Sequence, residues 1–206
     1  MDMKKANRGT FLVFEGLDGA GKTSCIDALR TELKENILFV REPGGTVIGE
    51  KIRSLVKGES ADPLTQLLLF VADRREHMKQ VIIPALERGT HVIADRFMGS
   101  TYAYQIVAGG LSEHEEFFWS IHKEILDDAV PDHYFFVTIS PEKARERMLR
   151  RKSMDHFEKD MFFQDKVRVG YEEFLKRVPH TVIDGSVELT VMQKEAVRLV
   201  KEALHS

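Results

Sequence analysis

The chain has 206 residues, 43% of them hydrophobic, and a formal net charge of −3. That supplies enough apolar surface for one α/β core, and the mildly acidic balance leaves no electrostatic footprint for a nucleic-acid backbone or a membrane surface. A single cysteine, Cys25, excludes an intrachain disulfide, and the longest apolar run, Leu67-Leu68-Leu69-Phe70-Val71-Ala72, is far too short to span a bilayer.

The first eight residues are polar and lack the apolar stretch of a signal peptide, so a cytoplasmic protein is expected. A short buried strand is expected at 11–14, and Ser24-Cys25-Ile26-Asp27-Ala28-Leu29-Arg30 reads as the first turns of a helix. Between them stands Gly16-Leu17-Asp18-Gly19-Ala20-Gly21-Lys22-Thr23, which fits the P-loop pattern G-x-x-x-x-G-K-[ST] at every fixed position. Strand, glycine-rich loop and helix N-terminus together make an anion cradle, in which backbone N–H groups and the helix dipole face phosphate oxygens. Lys22 would reach the β/γ-phosphates and the Thr23 hydroxyl would sit on Mg²⁺. The loop holds no arginine, so a phosphoryl transferase must draw its charge-neutralising cation from elsewhere. On the loop alone, Asp18 reads equally as a solvated aspartate or as a partner for a substrate hydroxyl or metal-bound water. Cys25 is expected to be a small packed hydrophobe.

A second strand at 37–40 leads into Arg41-Glu42-Pro43-Gly44-Gly45-Thr46, with Arg53 farther on. In Leu69–Arg75, Phe70 and Arg74 stand four apart on one helical face. Such a pair can stack a flat base and donate to its carbonyl; alone, it is more often a core phenylalanine beside a solvated arginine. The third strand, 91–94, ends in Asp95-Arg96-Phe97 and then Ser100-Thr101-Tyr102-Ala103-Tyr104-Gln105. An apolar strand ending in Asp95 is similar to a Walker B strand, whose acid organises the metal. Ser112 and Glu115 are expected to form a capping box ahead of Phe118, Ile121 and Ile125.

A fourth strand at 134–139 precedes Pro141, the expected first residue of a helix. Arg145, Arg147, Arg150, Arg151 and Lys152 follow, a basic cluster suited either to a solvated helix face or to a flap closing over ATP phosphates. Val167, Tyr171 and Phe174 stripe the next helix, a fifth strand is expected at 181–183, and Leu189, Met192, Ala196 and Leu199 stripe the last helix. Five apolar strands alternating with helices imply an α/β fold, with a parallel sheet covered on both faces and ligands at the strands' carboxyl ends. No repeat or linker divides the chain, so one domain over 1–206 is expected, with a lid at about 145–160. The eight histidines include no pair with zinc-site spacing and a flanking acid.

In combination these segments resemble the thymidylate kinase family of bacterial type, within the P-loop nucleoside monophosphate kinases. The resembling stretches are 15–23, 41–46, Gly49-Glu50-Lys51-Ile52-Arg53, 70–74, 95–97, 100–105 and 147–158, in the family's order. Arg-Glu-Pro-Gly-Gly-Thr and Ser-Thr-x-Ala-Tyr-Gln carry most of the specificity. The resemblance implies a P-loop NTPase fold with a helical lid, ATP-Mg²⁺ as phosphoryl donor, dTMP as acceptor, and a homodimer. It implies that Phe70 stacks on thymine, Arg74 donates to a thymine carbonyl, and Thr101 and Gln105 sit near the base's polar edge. Tyr104 would pack near the 2′ carbon of the sugar, Asp18 would hold the 3′-hydroxyl, Arg53 and Arg96 would hold the acceptor phosphate, and Glu42-Pro43 would shape its pocket. Arg151, assisted by Arg147 or Arg150, would neutralise the transferring phosphoryl. Asp184-Gly185-Ser186 resembles the adenine-contacting turn. Two positions depart from the family pattern: His156 stands where lids commonly carry arginine, and Phe97 where Tyr or His is usual. A kinase for another monophosphate or a deoxynucleoside would share the P-loop and flap but not the thymine pocket. A P-loop GTPase regulator would read guanine through Asn-Lys-x-Asp, and neither Asn7 nor Asn36 begins that motif.

Overall fold

The computed structural model describes residues 8–58, 61–150 and 161–205. Its centre is β1 (Phe11–Glu15), buried along its whole length. Side chains alternate between the two faces of a strand. Phe11 and Val13 therefore point to one side and Leu12 and Phe14 to the other, yet none is more than 1% exposed. Both faces of the sheet are covered, which is why this strand reads as a continuous apolar run.

After α1 (Lys22–Glu32) come β2 (Ile37–Arg41), α2 (Val47–Gly58) and α3 (Pro63–His77). Asp62 starts α3: its Oδ1 accepts from the N–H groups of Leu64 at 3.0 Å and Thr65 at 3.1 Å, with Pro63 in the first turn. α3 runs on through a π-helical turn, Met78–Ile82, into α4 (Ile83–Glu87). β3 (His91–Asp95) and α5 (Met98–Thr101) follow, and α5 continues as a π-helical stretch, Tyr102–Ala108. The remaining elements are α6 (Glu115–Ile125), β4 (His133–Thr138), α7 (Pro141–Arg150), α8 (Met161–Leu175), β5 (His180–Asp184) and α9 (Leu189–Leu204). The five strands stand in the order β2-β3-β1-β4-β5 and every pairing is parallel. This is the sheet of a P-loop NTPase fold, flanked by helices as expected. Among the described residues no helix is long and apolar enough to cross a membrane.

Three local expectations need correcting. β4 is shifted one residue toward the N-terminus, because the chain leaves the sheet at Ile139 to let Ser140 begin α7, where its Oγ accepts from Lys143 N–H at 3.3 Å. The capping box at Ser112 and Glu115 is absent. Residues Ser112–His114 form a 3₁₀ turn, and the Glu115 carboxylate instead accepts from Tyr102 Oη at 2.9 Å and pairs with Arg177 at 2.7 Å. The buried stripe of α9 is Met192, Ala196 and Val200, while Leu189, the first helical residue, is exposed. The α8 stripe of Val167, Tyr171 and Phe174 is fully buried. Gly170 lets α8 lie close along the π-helical stretch: a Cβ there would come within 2.7 Å of Ala103 Cα.

Candidate active site

Strand register levels the carboxyl ends of the sheet. Phe14 and Arg41 both align with Asp95, Glu15 with Phe136, and Thr138 with Asp184. The P-loop, the 41–46 loop, the 95–97 turn and the 184–186 turn therefore open along one edge, where ligands bind in such sheets.

In the P-loop, Gly16 and Gly21 take φ of 144° and 111°, in the region that favours glycine. A Cβ on Gly16 would lie 2.4 Å from Val137 O, and one on Gly21 2.6 Å from Met192 Cε. Leu17 and Ala20 are buried and hold the loop on the core. The Lys22 ammonium donates to Gly16 O and Leu17 O, each at 2.9 Å. Burial and the nearby Arg96 charge pull its pKa down to about 8, against the pull of Asp18, Asp95 and Glu15. Thr23 and Asp95 line the same cleft as Lys22. The 184–186 turn abuts the loop as well: a Cβ on Gly185 would lie 2.8 Å from Ala20 O, and Ser186 N–H closes the turn on Asp184 Oδ1 at 2.7 Å. Arg147 reaches over from α7 and donates from Nη1 to Ala20 O at 3.2 Å. Arg151, His156 and the greater part of the expected lid lie outside the described residues, as does the side chain of Arg150.

Arg96 sits at φ 70°, a left-handed conformation that costs an arginine roughly 1–3 kcal/mol and persists only where its surroundings fix it. What fixes it is on both sides. Its backbone N–H donates to Phe14 O at 2.9 Å. Its guanidinium donates to Asp18 Oδ1 at 2.7 Å, Ser100 Oγ at 2.8 Å and Tyr171 Oη at 3.0 Å. Asp18 is thus partly exposed but not free, and Tyr104 Oη also donates to its Oδ2 at 3.3 Å. Burial alone would raise the Asp18 pKa, but the charges of Arg96 and Lys22 and these hydrogen bonds hold it well below the usual carboxylate range. Arg53 donates to Pro43 O at 2.7 Å and faces the same cleft.

A second cavity is walled by Phe70, Arg74, Phe97, Thr101, Tyr104 and Gln105. It meets the phosphate-side cleft at Asp18, Glu42, Pro43 and Arg96, which line both. Phe70 is partly exposed on the cavity wall. Arg74 is no solvated arginine: it is 2% exposed and lies over the Phe97 ring at 4.8 Å. Its Nε donates to Glu42 Oε2 at 2.7 Å, Nη1 to His122 Nε2 at 2.7 Å and Nη2 to Thr101 Oγ1 at 3.1 Å. A guanidinium has five N–H groups, so one remains on each terminal nitrogen. The Glu42–Pro43 peptide is cis, and Glu42 Oε1 also meets His77 Nδ1 at 3.2 Å. Thr101, Tyr104 and Gln105 all come from the α5–π-helical segment, a local winding frequent at functional sites.

Three supporting residues escaped the sequence reading. Glu15 ends β1 fully buried and accepts from Phe97 N–H at 2.9 Å, Ser100 N–H at 2.9 Å, Ser100 Oγ at 2.6 Å and Tyr171 Oη at 3.2 Å. Burial raises its pKa while these bonds and Arg96 oppose the rise. An acid closing an otherwise apolar strand was the available signal. His122 lies four residues after Phe118 in α6, inside the apolar stripe. Gln66 precedes Phe70 by one helical turn and Arg74 by two, and that spacing marks the cavity face of α3.

Among the described residues no cluster of three or more His, Cys, Asp or Glu side chains could hold a metal. Thr23 and Asp95 offer one hydroxyl and one carboxylate on a single cleft. That oxygen donor set fits Mg²⁺ held chiefly by substrate phosphates and water.

Comparison with known proteins agrees with this geometry. A family profile described as thymidylate kinase matches residues 14–196. The thymidylate kinase of Thermoanaerobacter sp. (strain X514) is 37% identical over 206 residues, covering 96% of this chain and 100% of that protein. That of Halalkalibacterium halodurans is 36% identical over 208 residues, covering 96% and 98%. That of Paraburkholderia phytofirmans is 34% identical over 203 residues, covering 94% and 98%.

Proposed function

The chain belongs to the thymidylate kinase family, and on that premise we propose that it transfers the γ-phosphoryl group of ATP to the 5′-phosphate of dTMP, giving dTDP and ADP. The observation that carries this reading is the junction of the two cavities at Asp18 and Arg96, whose side chains stand 2.7 Å apart. An acceptor whose base lies between Phe70 and Arg74 has its sugar and phosphate at that junction, within reach of the P-loop.

The acceptor phosphate oxygen attacks the γ-phosphorus as the bond to the β,γ-bridging oxygen breaks. Such a step is catalysed by positioning and charge neutralisation more than by covalent chemistry. Lys22 neutralises donor phosphate oxygens, and Arg96 with Arg53 holds the acceptor phosphate in line. Asp18 holds the sugar's 3′-hydroxyl and keeps Arg96 from swinging away. The P-loop carries no arginine, so Arg147, already at the Ala20 carbonyl, and Arg150 and Arg151 beyond it are the candidate cations for the migrating group. Thr23 and Asp95, together with the nucleotide phosphates, would hold Mg²⁺, which would supply the remaining neutralisation. The Asp184–Ser186 turn borders the adenine. A homodimer in the cytoplasm, working as one domain with a lid at about 145–160, completes the reading.

Product analysis tests it. Phosphorus NMR of a mixture of enzyme, ATP-Mg²⁺ and dTMP should show β-phosphate signals of dTDP and ADP growing in equal amounts. ADP with free phosphate and no dTDP would mark an ATPase and refute the transfer.

A further inference from the structure

The hydrogen-bonding polarity of the second cavity is set by a contact between two of its lining residues, Gln66 and Gln105. Gln105 is 4% exposed and Gln66 6% exposed, and their amides touch. Which end of each amide points where follows from a fixed terminus. Ala61 O is a backbone carbonyl and can only accept. Gln66 must therefore turn its NH₂ to it, and the Nε2–O distance is 2.8 Å. That leaves Gln66 Oε1 facing Gln105, which donates to it from Nε2 at 2.9 Å. With its NH₂ engaged there, Gln105 presents its carbonyl Oε1 to the cavity it lines.

The neighbouring groups have the opposite polarity. Thr101 Oγ1 accepts from Arg74, so its hydroxyl proton is free to donate, and Arg74 keeps one N–H on each terminal nitrogen. The cavity edge therefore reads as an acceptor beside donors. A 4-oxo pyrimidine offers the complement, N3–H beside O4. A 4-amino pyrimidine offers an N3 lone pair beside an NH₂, and meets like groups at both places.

We infer that Gln66 is a specificity-determining positioning residue: anchored on Ala61 O, it locks the Gln105 amide with its oxygen toward the base and thereby selects 4-oxo over 4-amino pyrimidine nucleotides. The inference rests on the nucleotide-kinase reading above and deepens it. Without Gln66 the Gln105 amide can rotate by half a turn and offer NH₂ to the N3 of cytosine, removing one of the two mismatches while the donors of Arg74 and Thr101 still oppose the 4-amino group. Unpaired buried polar groups of this kind support discrimination of about 10⁴–10⁵, so even partial release is measurable.

The test compares kcat/KM for dTMP and dCMP in the wild type, Gln66→Met and Gln66→Glu. Gln66→Met keeps the length of the side chain but neither anchors nor orients; its dTMP-to-dCMP ratio should fall at least about 10-fold, with KM for dTMP raised and KM for ATP unmoved. Gln66→Glu in its protonated form donates to Ala61 O and still accepts from Gln105 Nε2, so at a pH that keeps it protonated it should restore most of the ratio. A purely structural role would lower the melting temperature without moving the ratio. An unchanged ratio in Gln66→Met, or an equal fall in Gln66→Glu at that pH, overturns the inference alone. A wild type that prefers dCMP overturns both the inference and the thymidylate reading. Should Gln66→Met not fold, NMR of the wild type decides: the Gln105 NH₂ protons should keep their contacts with Gln66 when dTMP binds, and contacts from that NH₂ to the base would overturn the lock.

Discussion

Arg74 and His122 stand 2.7 Å apart, guanidinium Nη1 to imidazole Nε2, in a pair almost wholly buried. The tautomer is fixed by the other nitrogen: His122 Nδ1 lies 2.7 Å from Phe118 O, a pure acceptor, so Nδ1 carries the proton and Nε2 accepts from Arg74. Burial and the Arg74 charge lower the His122 pKa to about 3. The unfolded chain takes up a proton here near pH 6.5 and the folded chain does not, so stability contributed by neutral His122 is present above that pH and lost as pH falls toward 3. His122→Gln keeps an acceptor and removes the titration. The unfolding free energy of the variant, relative to wild type, should rise by roughly 1.4 kcal/mol per pH unit below about pH 6. Denaturant melts across pH 4–7 measure it, and a constant difference would mean that His122 is not held neutral.

Lys22→Ala should nearly abolish turnover while circular dichroism shows an intact fold, because the ammonium acts on phosphate charge in a preorganised site. The wild type offers a second readout. With a free-enzyme pKa near 8, Lys22 loses its charge as pH rises through that value. Accordingly kcat/KM for ATP should fall above about pH 8, whereas kcat should hold to higher pH because bound phosphates favour the charged amine. A flat kcat/KM profile to pH 9.5 would contradict the assignment.

If Asp18 holds the 3′-hydroxyl, its removal and removal of that hydroxyl should not be additive. Asp18→Asn should lower kcat/KM for dTMP strongly and for the 3′-deoxy analogue much less. A coupling of about 0.5–3 kcal/mol is expected for groups in direct contact. Equal losses on both substrates would confine Asp18 to orienting Arg96.

Arg151→Ala should reduce kcat by about 10³-fold or more, the range for an arginine supplied to phosphoryl transfer. KM for dTMP should change little, so kcat and kcat/KM fall together. Arg151→Lys should recover only part, lacking the planar fork. A large loss in Arg147→Ala instead would move the role to the residue already at the P-loop, and mild effects in Arg147, Arg150 and Arg151 variants alike would remove the lid from the mechanism.

The sheet and the P-loop were legible because both are local signals: five apolar runs, and a glycine-rich loop whose fixed positions have backbone reasons. Phe70 and Arg74 were legible as a helical pair, but not the company they keep, since Glu42, Thr101 and His122 come from three other segments. The same holds for Asp18, whose alternatives on the loop did not include Arg96, 78 residues away. Glu115 misled because a capping signal is local, whereas Tyr102 and Arg177, which claim its carboxylate, are not. Buried polar partners are chosen by the fold, and sequence spacing reports them only along one helix, as with Gln66, Phe70 and Arg74.

The most direct measurement is a coupled assay of ADP formation with ATP-Mg²⁺ against a panel of nucleoside monophosphates. dTMP should have the highest kcat/KM. dUMP should follow about 10–200-fold lower, since one methyl in an apolar contact is worth roughly 1–3 kcal/mol. If dCMP or dGMP outran dTMP, the cavity between Phe70, Arg74 and Gln105 would not be a thymine pocket.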